Sequence, residues 1–171
     1  MLSKSLLLIA LTLFMISCSK DEGTPVLLYS NNFDDVSDLS AYTIGFGDIE
    51  ISKEETINNS NGCLSIFGMC LVPNLSIEIG PFDVDYSVHM EAWIKSDYGA
   101  ALHLSRKSHS QDYVRIETNE DLFKARKWNL YSSDDLFVPK GETLMLYVDA
   151  SNNTLSYTKV DELKIFGTIN E

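Results

Sequence analysis

The sequence predicts an all-β domain, either a sandwich or a barrel. Its 171 residues contain roughly nine or ten short segments that alternate apolar and polar residues, at spacings of about 8–12 residues. No segment gives a convincing long amphipathic helix. Hydrophobic residues make up 44% of the chain, which is enough for a packed core rather than a disordered chain. The length suits one domain of ordinary size.

The clearest strand covers residues 86–95, Y-S-V-H-M-E-A-W-I-K. Alternation of this kind is typical of a half-buried strand, because successive side chains point to opposite faces of a sheet. The inward set is Val88, Met90, Ala92 and Ile94, and the outward set is Ser87, His89, Glu91, Trp93 and Lys95. The outward set is polar apart from one large aromatic, and this combination indicates a binding surface.

The other strands follow from the same period and from turn residues between them. They are predicted at 26–32, from 49 onward, and at 63–67, 75–79, 100–105, 113–117, 128–131, 143–149 and 155–166. Turns are predicted at 45–47, 58–62, 73–74, 80–81 and 151–153, where Gly, Pro, Asn and Ser cluster. Residues 36–42 and 119–127 have room for one helical turn each. Trp128 is predicted to lie in the core.

The charge balance excludes one class of partner. The chain carries 13 Lys and Arg against 25 Asp and Glu, a net charge of −12. Nucleic-acid binding needs clustered cations, so we do not expect it, and attraction to anionic lipid is also disfavoured. An acidic surface is compatible with neutral ligands and divalent cations, or simply with solubility.

The N-terminal segment predicts export. Residues 1–17 combine Lys4 with an apolar run over 6–16, which is short for a membrane span and suits a signal peptide. The sequence M-I-S-C at 15–18 resembles a bacterial lipobox, with Met15 where leucine is usual, and this implies lipidation of Cys18. A plain secretory signal or a buried apolar helix is the alternative.

The polar residues after Cys18, S-K-D-E, are similar to those of Bacteroidota lipoproteins. That resemblance implies an outer-membrane-anchored lipoprotein that faces the periplasm or the cell surface. We therefore divide the chain into a signal peptide at 1–17, a lipidated cysteine and tether at 18–25, and a β-sandwich domain at 26–171.

Two further cysteines, Cys63 and Cys70, lie close together in the sequence. Outside the cytoplasm they could form a disulfide, or both could be buried free thiols, because spacing alone does not fix the geometry of a bridge. We expect no metal site at this pair, since no further Cys or His is near in sequence.

Six segments together resemble galactose-binding-like jelly-roll modules, the carbohydrate-binding modules attached to xylanases and β-glucanases. They are N-N-F-D at 31–34, G-C-L-S-I at 62–66, Y-S-V at 86–88 with A-W-I-K-S at 92–96, K-W-N-L at 127–130, L-M-L-Y-V at 144–148 and V-D-E-L-K-I at 160–165. Their order and spacing match over nearly the whole domain. The resemblance implies a two-sheet jelly roll and a carbohydrate ligand.

The same resemblance implies a structural calcium ion that ties the first strand to the last. The matching positions are Asp34, or the adjacent Asp35, and Asp161, with backbone carbonyls as further oxygen ligands. The alternative is that these carboxylates only accept hydrogen bonds at turns and strand ends.

A glycan site needs an aromatic platform for the apolar face of a sugar ring and polar side chains for its hydroxyls. The outward candidates are His89, Glu91, Trp93, His103, Arg115, Glu117 and Tyr147, with Trp93 or Tyr147 as the platform. They meet on one face if their strands belong to one sheet. Alternatively, Trp93 packs under a loop, and Glu91 and Arg115 form a surface ion pair.

We do not expect an enzyme. Glu91 and Glu117 could pair, but no motif supports glycoside hydrolysis, and no nucleophile elbow, phosphate loop or dinucleotide fingerprint occurs. The sequence therefore predicts a non-catalytic glycan-binding lipoprotein. The alternative is a structural or protein-interaction lipoprotein without a sugar site, an accessory subunit of an envelope complex.

Overall fold

Two antiparallel β-sheets pack face to face in the computed structural model of the protein. The structure describes residues 23–58, 60–68, 75–96, 100–118, 127–150 and 156–170. The predicted β-sandwich is therefore confirmed. The predicted signal peptide, Cys18 and Cys70 lie outside the described residues.

The larger sheet has seven strands. Its central path runs β10-β6-β12-β4-β3, with β1 paired to β12 and β9 paired to β6. The strands are β1 (Val26–Asn31), β3 (Asp48–Ser52), β4 (Cys63–Gly68), β6 (Tyr86–Ser96), β9 (Asn129–Ser132), β10 (Leu136–Val138) and β12 (Ser156–Ile169). The register between β12 and β6 shifts between Asp161 and Lys164, and Glu162 has a positive φ of 47° there.

The smaller sheet has five strands in the order β2-β5-β11-β7-β8. They are β2 (Thr43–Ile44), β5 (Leu75–Ile79), β7 (Ala100–Arg106), β8 (Tyr113–Glu117) and β11 (Leu144–Ala150). Consecutive strands of the chain often change sheet, so that β6 belongs to the larger sheet and β7 to the smaller one. This alternation decides which outward side chains can meet.

The core lies between the sheets and is built by the inward positions of the alternating strands. In β6 the four predicted inward residues, Val88, Met90, Ala92 and Ile94, are fully buried, as predicted. Leu102 and Leu104 of β7 and Leu144, Leu146 and Val148 of β11 face them from the other sheet and are also fully buried. Each large aliphatic side chain buried in this way contributes roughly 1.5–3 kcal/mol.

One short 3₁₀ helix, Val36–Leu39, follows β1 within the predicted segment 36–42. Asp35 caps it, because its carboxylate accepts the N–H of Ser37 at 2.9 Å. In the reverse direction, the carboxylate of Asp38 accepts the N–H of Asp35. Its Leu39 is buried. Among the described residues, no helix has the length and apolar character needed to cross a bilayer.

Trp128 does not lie in the core as predicted. It is half-buried and precedes β9, and its Nε1–H donates to the carbonyl oxygen of Glu55 at 2.6 Å. The indole therefore fastens a loop to the surface of the larger sheet. The prediction was wrong because an aromatic residue in a short alternating segment is equally compatible with an outward position.

The possible Cys63–Cys70 disulfide stays a prediction, because Cys70 lies outside the described residues. Cys63 is a buried residue at the start of β4 and has no disulfide partner among the described residues. Burial raises the pKa of its thiol to about 11.

Candidate functional site

The seven residues predicted to bind a ligand lie on two opposite outer faces of the sandwich. His103, Arg115, Glu117 and Tyr147 belong to the smaller sheet, whereas His89, Glu91 and Trp93 belong to β6 in the larger sheet. The prediction that all seven meet on one face was conditional on a single sheet, and it is wrong. The sequence did not reveal that the chain changes sheet between β6 and β7.

The four residues of the smaller sheet do share one face. Tyr147 of β11 is paired with His103 of β7, and His103 is paired with Arg115 of β8. These three residues form a row across the sheet. In the next row, Asp149 and Glu117 flank Ala101. Residues two apart in a strand point the same way, so both rows face outward.

A cleft of about 380 Å³ opens on this face. Its lining residues are His103, Ser105, Ser110, Tyr113, Tyr147 and Asp149. The rings of His103 and Tyr113 lie with their centroids 5.9 Å apart, and Nε2 of His103 is 3.7 Å from Oδ2 of Asp149. Tyr113 is 48% exposed. The cleft thus combines aromatic rings with polar groups.

Ser105 is the most informative residue of the cleft, and the sequence analysis missed it. It is only 3% exposed, and its Oγ has no hydrogen-bond partner among the described residues. A buried hydroxyl without a partner costs about 1–3 kcal/mol, so an unsatisfied one that lines a cleft points to a bound ligand or water. The signal in the sequence was its spacing, two residues after His103 on the same face.

Arg115 and Glu117 lie on the edge strand β8, beside His103 and Ala101, and are not among the residues that line the cleft. Their Nη1 and Oε1 atoms are 3.0 Å apart, and both side chains are partly exposed. The Glu91–Arg115 ion pair, the alternative to a ligand site, does not form, because Glu91 lies on the opposite sheet. An exposed ion pair of this kind contributes little to stability.

The other three predicted residues line the outer face of β6. The imidazole ring of His89 stacks on Phe166 with centroids 5.4 Å apart, and its Nδ1 is 3.6 Å from Oδ1 of Asp135. Its Nε2 is 4.0 Å from Oε1 of Glu91. Trp93 is half-buried and is paired with Asp161 and Leu130. These residues do not line the cleft of the smaller sheet.

Asp34 and Asp161, the predicted calcium ligands, lie at one corner of the sandwich around the turn at 60–62. Asp161 is fully buried; its Oδ2 accepts the hydroxyl of Ser60 at 2.6 Å, and its Oδ1 accepts the N–H of Glu162 at 2.7 Å. Oδ1 of Asp34 accepts the N–H of Asn61 at 2.9 Å. Burial is the largest influence on the Asp161 carboxyl and raises its pKa.

The oxygen atoms at this corner match the ligand preference of a hard cation. Besides the two carboxylates, the Ser60 hydroxyl lies 3.0 Å from the carbonyl oxygen of Gly62. Among the described residues, no group of three Asp, Glu, His or Cys side chains is placed to hold a metal ion, so neutral oxygens would have to complete a shell of about six to eight ligands. Asp35 is not part of this corner, because its carboxylate caps the 3₁₀ helix.

No family profile matches the sequence, and no curated protein matches it. Solved structures match the fold. The CBM22-1 xylan-binding domain of Xyn10C from Paenibacillus barcinonensis has a TM-score of 0.61 and 16% identity, over 90% of this chain and 100% of that domain. The CBM22-1–CBM22-2 tandem of the same enzyme gives 0.63 and 16%, over 90% of this chain and 48% of that one.

An enzyme also has a similar fold. The Stig cyclase Fisc from Fischerella sp. TAU, in complex with an indole compound, has a TM-score of 0.60 and 8% identity, over 86% of this chain and 100% of that chain. Identities this low establish the fold alone. The protein therefore has the jelly-roll sandwich fold of carbohydrate-binding modules, as predicted. Its function has to be inferred from the residues of the site, because one fold serves many functions.

Proposed function

We propose that the protein binds a polysaccharide or glycan, without catalysis, on the outer face of the five-stranded sheet. The observation that carries this proposal is the buried, unpartnered hydroxyl of Ser105 in a cleft lined by Tyr113, Tyr147 and His103. The fold similarity to xylan-binding modules supports the same ligand class.

The chemistry of the cleft suits a sugar ring. A pyranose has an apolar face that stacks on tyrosine, and its hydroxyls both donate and accept hydrogen bonds. Tyr113 and Tyr147 would supply the stacking surface, and Ser105, His103 and Asp149 the polar contacts. The cleft volume of about 380 Å³ is near the lower end for small-ligand sites, so the cleft suits a short segment of a longer chain.

The arrangement of carboxylates supports binding rather than hydrolysis. Glycoside hydrolysis uses two carboxyl groups on either side of the scissile bond. Asp149 is the one carboxylate among the residues that line the cleft, and Glu117, which does not line it, forms an ion pair with Arg115. Glu91, the other candidate for a pair, lies on the opposite sheet.

The proposed cellular setting is the envelope. A lipid on Cys18 would anchor the domain to the outer membrane, with the domain facing the periplasm or the cell surface. In this setting the protein would hold a glycan close to the membrane without a transmembrane helix.

The competing proposal, a protein-interaction lipoprotein, has one observation in its favour. Leu27 and Phe137 are both more than half exposed on the outer face of the larger sheet, where Leu27 is paired with Phe166 and Phe137 is paired with Ser87. Exposed apolar groups gathered on one face are typical of protein contacts. Capture of one defined envelope protein, abolished by Phe137→Ser, would favour this proposal.

The test of glycan binding is calorimetry of the full chain in a detergent without sugar groups, against plant, host and bacterial oligosaccharides. Tyr147→Ala is expected to weaken binding about tenfold or more, because it removes an aromatic stacking surface. Trp93→Ala, which removes an aromatic from the opposite face, is the matched control and is expected to leave this binding unchanged. Unchanged affinity in Tyr147→Ala, or no binding by folded protein, would contradict the proposal.

We also propose that the corner of Asp34 and Asp161 holds a structural calcium ion. The two carboxylates, with Ser60 and the carbonyl of Gly62 nearby, would provide its oxygen ligands. The ion would tie the end of β1 to the turn at 60–62 and to β12, and would compensate the buried charge of Asp161.

A further inference from the structure

A second groove crosses the outer face of the larger sheet, over β3, β4 and β12. It consists of two adjoining cavities of about 550 and 470 Å³. Both cavities include Glu50, Ser65 and Tyr157 in their lining. The groove is therefore continuous past Tyr157, and it lies on the side of the sandwich opposite to the first cleft.

Tyr157 forms an aromatic platform in the middle of this groove. It is 52% exposed and is paired with Phe67 of the neighbouring strand β4. The two ring centroids are 4.6 Å apart, at an interplanar angle of 35°. Phe67 packs against the tyrosine ring and holds it in place. The stacking of a ligand on Tyr157 would therefore cost little conformational entropy of the tyrosine side chain.

One wall of the groove is formed by residues in polar contact with one another. The carboxylate of Glu55 lies between the amines of Lys95 and Lys159, at 2.9 and 3.2 Å. Lys159 also donates to the carbonyl of Glu54 at 2.9 Å, and Trp128 donates to the carbonyl of Glu55. The two lysines hold the pKa of Glu55 below its usual value. The wall thus presents both donors and acceptors.

The lining selects the class of ligand. Glu50, Glu54 and Glu55 outnumber the two lysines in the larger cavity, so a phosphate or polyanion would meet net repulsion. A long apolar peptide would leave the charged wall unsatisfied. A neutral oligosaccharide satisfies both features, because it stacks on a ring and exchanges hydrogen bonds with groups of either sign.

We propose that this groove is a second glycan-binding site, for a neutral oligosaccharide. It goes beyond the proposed function, because none of its lining residues belongs to the first cleft. With sites on both sheets, one protein could bridge two polysaccharide chains or gain avidity on one.

The two tryptophans give this groove its own optical signal. The chain contains two Trp: Trp128 contacts the groove wall, and Trp93 lies on the same outer face as Lys95 in β6. Titration of the full chain with neutral xylo-, cello- and manno-hexaose should change the tryptophan emission through the second groove. Calorimetry on the same samples should give two bound oligosaccharides per protein.

Variants on each face separate the two proposals. Tyr157→Ala should remove the emission change and reduce the stoichiometry to one, and Tyr147→Ala should reduce the stoichiometry to one while the emission change persists. Tyr157→Phe keeps the ring and should retain affinity within about twofold. Thermal melting confirms that each variant is folded.

Three results would overturn the second site. Unchanged stoichiometry and emission in Tyr157→Ala would do so, and the first site would stand if Tyr147→Ala still lost binding. Tighter binding of an oligogalacturonate than of the neutral hexaoses in the groove would contradict the neutral ligand class. No binding of any neutral hexaose would overturn the second site, whereas the first site is tested by the wider set of oligosaccharides. Conversely, if Tyr157→Ala lost all binding and Tyr147→Ala bound as the native protein does, the second site would be supported and the first overturned.

Discussion

Gly62 lies so close to Phe33 that a Cβ added to Gly62 would be 2.7 Å from the carbonyl oxygen of Phe33. The same atom would be 2.7 Å from Cγ2 of Ile51. Phe33 is fully buried, has a positive φ of 54°, and donates its N–H to Oδ1 of Asn31 at 2.8 Å. The end of β1 and the turn at 60–62 are therefore packed backbone to backbone beside Asp161.

Gly62→Ala is expected to lower the free energy of unfolding by about 3 kcal/mol, at the upper end for overpacking, because a backbone oxygen cannot move aside as a side chain can. Urea denaturation measures this change. Gly141→Ala is the matched control: Gly141 has a φ of 84° and open space around it, so only backbone strain of about 1 kcal/mol is expected. Equal losses in the two variants would contradict the steric explanation.

Ser105→Ala is expected to have opposite effects on stability and on binding. It removes a buried hydroxyl without a partner among the described residues, so the free energy of unfolding should stay constant or rise by up to about 1 kcal/mol. The affinity of the cleft for its glycan should fall about three- to tenfold. Melting temperature and calorimetry measure the two effects on the same sample.

Thr118→Val is the control for this variant. Oγ1 of Thr118 is buried and accepts the N–H of Ala100 at 2.8 Å, so its loss leaves a donor unsatisfied and should cost about 1–3 kcal/mol. It should not affect glycan affinity. A destabilising Ser105→Ala with unchanged affinity would mean that the hydroxyl has only a structural role.

The sequence predicted well which residues of a strand point into the core, and poorly which strands belong to the same sheet. Alternation in β6 and β11 identified the buried residues, because a side-chain period of two depends only on the strand itself. It did not place Trp93 opposite Tyr147, since sheet membership depends on crossover connections that local patterns do not encode. The burial of Ser105 was equally invisible, because its neighbours Tyr113 and Met145 come from two other strands.

The corner of Asp34 and Asp161 was predictable to a greater extent. The motif resemblance named both carboxylates, and the structure brings them to the same turn. Of the two adjacent carboxylates, Asp34 contacts this turn, whereas Asp35 caps the 3₁₀ helix. The contribution of Ser60 was missed, since its approach to Asp161 spans 101 residues.

Calcium is expected to stabilise the protein through this corner. Millimolar Ca²⁺ should raise the melting temperature relative to EDTA, because an ion that binds only the folded state adds RT ln(1 + [L]/Kd) to the free energy of unfolding. Asp161→Asn should abolish the increase. Asp35→Asn is the control, since asparagine caps a helix as well as aspartate does; it should retain the increase. An equal melting temperature in Ca²⁺ and EDTA would contradict the proposed ion.

The pH dependence in EDTA tests the buried charge of Asp161 directly. Burial raises the pKa of this carboxyl above its ordinary value of 3.8, so the folded protein holds the proton more tightly than the unfolded chain. The carboxyl therefore contributes stability below about pH 4, and this contribution is lost as the pH rises through the folded pKa.

Asp161→Asn cannot ionise at this position, so its stability does not show this loss. The free energy of unfolding of the native protein minus that of Asp161→Asn should therefore decrease as the pH rises from 4, whereas the slope due to the other carboxylates is common to both proteins. Urea denaturation in steps of half a pH unit measures the difference. A difference that rises with pH would mean that the hydrogen bonds from Ser60 and Glu162 outweigh burial and that the corner favours the charged carboxylate without a metal ion.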